Sequence, residues 1–145
     1  MILLADIHRA VAHAYRLSRD ELRVCSDRNE RGYPKRRGSR VAIEARWVAI
    51  YLSRRLTERS LWTIATSLGY RDHAIANWSE DRVVQRLGFE PRLRTRMADA
   101  LGRLGIAEPD SVIAAAPLGY LKRLRRSRAR SSPACPQQKT NEIQP

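Results

Sequence analysis

An all-α fold is predicted for this 145-residue chain from three observations. Apolar residues recur at i, i+3, i+4 and i+7 along most of its length, residues that start and stop helices stand at the segment ends, and one glycine joins two of the helices tightly enough for a helix-turn-helix. The length suits one hydrophobic core with tails, rather than two.

The elements follow in order. In residues 6–17, DIHRAVAHAYRL, the residues Ile7, Ala10, Val11, Ala14 and Tyr15 form one apolar helical stripe. Ser18 and Glu21 have capping-box spacing, which predicts a short helix through Leu22 and Val24. Residues 26–40, SDRNERGYPKRRGSR, hold two glycines, a proline and many charges without periodicity, and read as a basic loop or arm. The stripe returns as Val41, Ala45, Val48, Ala49, Leu52 and Leu56, a long core helix with Arg46, Arg54 and Arg55 on its other face. Ser60 is placed to cap a short helix marked by Leu61, Ile64, Ala65 and Leu68, and Gly69 stops it. The next helix is expected from Arg71 or Asp72 to about Leu87, burying Ala76, Val83 and Leu87. Pro91 opens another, with Leu93, Met97, Ala100, Leu101 and Leu104 on one side, and Pro109 starts a last one that Pro117 should break. The chain divides on this reading into a domain at 1–87, a helical extension at 88–127 and a disordered polar tail at 128–145.

Charge points to the partner. Lysine and arginine number 28 against 15 acids, a formal charge of +13, and only Lys35, Lys122 and Lys139 are lysines. A GC-rich genome would enrich arginine without producing so large a net charge; the excess suits a polyanion, and the guanidinium fork suits phosphate and guanine. The run KRLRRSRAR at 122–130 is either a solvated tail or a source of further phosphate contacts.

Other chemistries lack residues. Cys25 and Cys135 stand far apart with no zinc-site spacing, and no glycine precedes a Lys-Ser/Thr pair as a phosphate loop requires, so no metal and no cofactor are expected. Asp72 and His73 are neighbours on a helix and do not face each other as a nucleophile and its base would, so an enzyme is not expected. The apolar run MILL is too short for a signal or a span; the expected location is cytoplasmic, at the nucleoid, with no membrane. His8 and His13 read as solvated, and Trp47, Trp62 and Trp78 as core or partner contacts.

The stretch GYRDHAIANW at 69–78 carries the functional reading. At the start of the second helix of a helix-turn-helix, residues reach base edges in the major groove. Arg71 suits guanine or a phosphate, and His73 a base edge; Asp72 suits cytosine N4 or, equally, a plain helix cap. GYRDHAIA resembles the Gly-Gly-Arg-Asp-His-Thr-Thr-Val signature of the C-terminal DNA-binding domain of the bacterial replication initiator DnaA. The likeness extends through ARWVAIYLSRRLTERSLWTIATSLGYRDH and back to DIHRAVAHAYRLSRDEL, covering about residues 6 to 87.

The resemblance implies a helical domain that binds double-stranded DNA at a short box. Arg71, Asp72 and His73 would contact the major groove, Arg46 would lie at the DNA backbone, and Ser60 joins the contact set. A basic segment before the long helix would enter the minor groove; roughly ten extra residues there leave Arg36, Arg37 and Arg40 all as candidates. Ala74 and Ile75 replace the family's paired threonines, and either meet a thymine methyl or, for Ile75, pack in the core at the expense of binding. Without an ATPase module, the expectation is a free-standing duplex reader acting in the regulation of replication initiation or of transcription. The competing expectation is an interaction protein with only nonspecific nucleic-acid binding, a homodimer or protein partner being met through residues 91–127, with Leu93, Met97, Leu101 and Leu104 exposed.

Overall fold

The computed structural model describes residues 1–24 and 38–114, and all regular structure among them is helical. Most of the expected basic arm, the chain beyond residue 114 and the tail at 128–145 lie outside the described residues. The helices are α1 (Leu4–Ala14), α2 (Arg19–Leu22), α3 (Arg40–Leu56), α4 (Leu61–Ser67), α5 (Ala74–Leu87), α6 (Pro91–Arg103) and α7 (Pro109–Ala114). No helix among the described residues is long and apolar enough to cross a membrane.

Helix α1 buries Ile7, Ala10 and Val11 as its stripe requires. It ends on Arg16 in the left-handed region at φ 54, where the Arg16 N–H meets the His13 carbonyl and the Leu17 N–H meets the Ala12 carbonyl. Nothing in an arginine announces that turn. The capping box before α2 forms as its spacing predicts, with Glu21 N–H donating to Ser18 Oγ at 3.2 Å and Ser18 N–H to Glu21 Oε2 at 2.7 Å. The helix stops short of the expected Val24, whose N–H is drawn instead to the Leu68 carbonyl at 2.8 Å.

Helix α3 is the axis of the molecule. It packs on α1, α2, α4 and most extensively α5, so Ile50, Tyr51 and Ser53 are buried along with Val48, Ala49 and Leu52. An amphipathic stripe predicts one apolar face, but a helix surrounded by neighbours also buries its polar side. Hence Arg46 is buried and Arg54 and Arg55 are half-buried rather than facing solvent, while Val41, in the first turn, is 38% exposed.

Helix α6 belongs to the same core. Leu93, Met97 and Leu101 are fully buried and Leu104 is half-buried, with α6 packed against α1. The division at residue 88 therefore falls inside one compact unit, and the stripe expected to be exposed for self-association is already covered. Tyr51 ties α7 to the centre, its hydroxyl donating to the Ile113 carbonyl at 3.2 Å.

One carboxylate joins four helices. Glu44 Oε1 accepts from the Tyr15 hydroxyl at 2.9 Å and from Arg96 at 3.0 Å, and Oε2 accepts from Arg86 at 2.6 Å. Arg86 also chelates Glu90, and the Arg96 guanidinium lies 4.7 Å from the Tyr15 ring centre. Burial and the facing carboxylate hold the Tyr15 phenol well above its ordinary range, so it stays a donor. Glu44→Gln, which leaves two guanidiniums facing an uncharged amide, is expected to cost about 2 kcal/mol in urea unfolding. An unchanged midpoint would show the network to be ornamental.

Candidate nucleic-acid interface

Helix α4, its turn and α5 form the helix-turn-helix. Ser60 caps α4 by accepting the Thr63 N–H at 3.2 Å. At the other end the Gly69 N–H meets the Thr66 carbonyl at 2.9 Å and the Tyr70 N–H reaches back to the Ala65 carbonyl at 3.0 Å, the paired bonds of a Schellman stop. Gly69 has φ +87, and a Cβ there would stand 3.1 Å from the Val24 carbonyl oxygen. Glycine is thus required twice over, by backbone conformation and by the segment after α2 passing alongside.

Helix α5 begins at Ala74, later than expected, because Asp72 Oδ1 accepts the Ala74 N–H at 2.8 Å and holds the chain in a turn. Arg71, Asp72, His73 and Ala74 are consequently all exposed, forming a polar tip at the entrance to α5. Asp72 is therefore not the cap itself, since the N-cap position falls on His73 and Oδ1 closes the turn ahead of it; the Asp72 side chain remains 73% exposed, with His73 Nδ1 3.9 Å away. Ile75 is half-buried and stands outside the core cluster.

Buried polar contacts fix the angle of this tip. Arg54 of α3 pairs with Glu80 of α5 at 3.0 Å and donates to Asn77 Oδ1 at 3.2 Å, with Glu80 only 3% exposed. The ion pair and the hydrogen bond to Asn77 link the two helices behind the tip. Sequence periodicity gave no sign of it, since Glu80 reads as an ordinary surface residue.

Helical spacing carries the exposed face onward from Ala74 to Trp78 and Arg82. Trp78 is 44% exposed, edge-on to Trp47 at 5.2 Å between ring centres, with the Arg82 guanidinium 4.9 Å above it. Extending the polar face of α5 by one turn would have found both residues.

The remaining candidates separate. Arg40 is exposed at the first residue of α3, and Ser60 is exposed, though its hydroxyl is engaged as a cap. Arg36 and Arg37 lie outside the described residues. Arg46 does not stand where the resemblance puts it. It is 4% exposed, its Nε donates to the Leu22 carbonyl at 2.7 Å, and its Nη2 donates to the carbonyls of Glu21 and Arg23 at 2.9 and 3.0 Å. Gly38, at φ +81, passes over the guanidinium so closely that a Cβ would meet Nη2 at 3.0 Å. A guanidinium spent on three carbonyls and roofed by backbone is a strut beneath α2, not a phosphate ligand.

The family model for the bacterial dnaA protein helix-turn-helix matches residues 4–83. This chain belongs to that family. It is 34% identical to the chromosomal replication initiator protein DnaA of Lactiplantibacillus plantarum over 70 residues, 48% of this chain and 15% of that protein. It is 38% identical to the DnaA of Rhizobium johnstonii and 30% identical to that of Rhizobium meliloti, each over 92 residues, 63% of this chain and 17% of those proteins. Only a small part of these DnaA proteins is therefore matched. The DnaA-type match runs from α1 into α5, so the exposed tip and its supports all fall within it.

Proposed function

We propose that this DnaA-type helix-turn-helix binds double-stranded DNA with a sequence preference and acts in the regulation of replication initiation or of transcription nearby. The observation that carries the reading is the exposed Arg71-Asp72-His73 tip at the start of α5, held by the Arg54–Glu80 pair. In a helix-turn-helix that end enters the major groove. Arg71 and His73 present donors to base edges, and Ala74 and half-buried Ile75 present apolar surface suited to a thymine methyl where the family has hydroxyls. The box preferred should accordingly differ from the family's at the bases facing these two residues. Arg40, with Arg36 and Arg37, serves phosphate or the minor groove in this reading, and the net charge of +13 supplies the sequence-independent attraction.

The test is selection of duplexes from a random pool at about 0.15 M salt, followed by titration of the enriched and scrambled duplexes. His73→Ala is expected to remove about 1–3 kcal/mol of discrimination at one base pair. Arg40→Ala should weaken both duplexes alike and flatten the salt dependence by about one phosphate contact. No enriched motif, or equal losses on both duplexes for both variants, would overturn the reading.

A further inference from the structure

Between α1, α2 and α4 lies a recess of about 140 Å³ lined by His8, Arg19, Leu22, Arg23 and Ser67. Four of its five lining residues carry polar side chains, and two of those are permanent cations. Neither Arg19 nor Arg23 has a carboxylate within ion-pair distance among the described residues, and the nearby Glu21 carboxylate is turned back onto the Ser18 N–H. His8 forms the floor at 7% exposure. Its polar contact there is a long one, 3.5 Å from Nε2 to Ser67 Oγ, and Ser67 spends its own proton on the Ile64 carbonyl at 2.7 Å. The recess thus sets two guanidiniums over a buried imidazole whose polar contact is a long one.

We propose that this recess binds a phosphate-class oxyanion, with Arg19 and Arg23 as the charged forks and His8 beneath them. The volume is several times the roughly 30 Å³ of one liquid water, enough for a tetrahedral anion and its residual hydration. Guanidinium geometry matches oxyanion edges, and Leu22 alone is too little apolar lining for a hydrophobic ligand. Burial first, then the charges of Arg19 and Arg23, pull the His8 imidazole down to about 4, keeping it neutral when the recess holds no anion. An anion between the two guanidiniums offsets the smaller, charge-driven part of that depression, so occupancy moves the His8 midpoint upward while burial still opposes the proton. The phosphate has two sources, a backbone phosphate of a duplex running over α4 or a free phosphate compound. The site itself depends on neither and stands apart from the readout by the tip.

The experiment is a titration of the full chain with inorganic phosphate at constant ionic strength near pH 6, read from the ring resonances of the three histidines. The expected result is a saturable shift at His8, absent at His13 and His73, together with an upward move of the His8 titration midpoint. Both effects should vanish in R19A/R23A, whose exposed side chains leave the core intact. Equal, unsaturating shifts at all three histidines, or a His8 response that survives R19A/R23A, would overturn the proposal. Where the response is present, duplex DNA separates the sources. Reproduction of the His8 shift by duplex and competition by phosphate place a backbone phosphate in the recess; a duplex that binds without moving His8 leaves it to a free phosphate compound.

Discussion

Arg46→Ala is expected to lower unfolding free energy by about 3–5 kcal/mol, a large fraction of the stability of a domain this size. The guanidinium donates to three consecutive carbonyls, of Glu21, Leu22 and Arg23. Each hydrogen bond to a charged group contributes about 1.5–3 kcal/mol, and the carbonyl of Leu22, a residue 1% exposed, loses its buried partner outright. Arg46→Lys should recover only part of the loss, because an ammonium cannot span the three acceptors as a planar fork does. Urea unfolding measures both. The functional corollary is that duplex affinity per folded molecule should hold in Arg46→Ala well below its melting temperature. A variant of full stability and lost affinity would return Arg46 to the DNA backbone, where the resemblance places it.

The same residue marks the limit of what could be read from the sequence. Helix existence was legible wherever a stripe and a cap coincided: Ser18 with Glu21, Ser60 with the run to Leu68, Pro91 with the run to Leu104. These signals are local, and the backbone obeys them locally. What was not legible depends on packing at long range. Arg46, Arg54 and Glu80 look like surface charges in any window of sequence and become interior only because α3 is surrounded. Val24 leaves its helix for a hydrogen bond with Leu68, 44 residues away. The tip was legible because GYRDH follows a glycine stop at the head of the second helix and resembles the family signature, yet the helix starts two or three residues later than expected, since Asp72 closes a turn before the helix rather than entering it. That the α6 stripe is covered rather than exposed depends on the packing of α1, which no periodicity contains.

Acid should destabilise this fold well before its carboxylates titrate, and His8 is the reason. Unfolded, the imidazole protonates near 6.5; folded, burial and then Arg19 and Arg23 hold it at about 4. Above pH 6.5 neither state carries the proton and His8 contributes no pH dependence. As pH falls from 6.5 towards 4 the unfolded chain takes up a proton that the folded chain refuses, so stability declines over that window by about 3 kcal/mol in total and levels off below it. The groups facing the ring are Arg19 and Arg23 on the α2 side and Ser67 on α4, with no acid to compensate among them. His8→Gln, neutral at every pH, should therefore be less acid-sensitive than the parent in urea unfolding at pH 7, 6, 5 and 4.5, whatever its absolute stability. Parallel pH profiles for the two proteins would mean that His8 titrates normally. Repeating the series in phosphate at matched ionic strength joins this prediction to the recess: an anion that favours the charged imidazole must flatten the slope of the parent and leave that of His8→Gln unchanged, because linkage forbids stabilising the proton without also stabilising the fold that holds it.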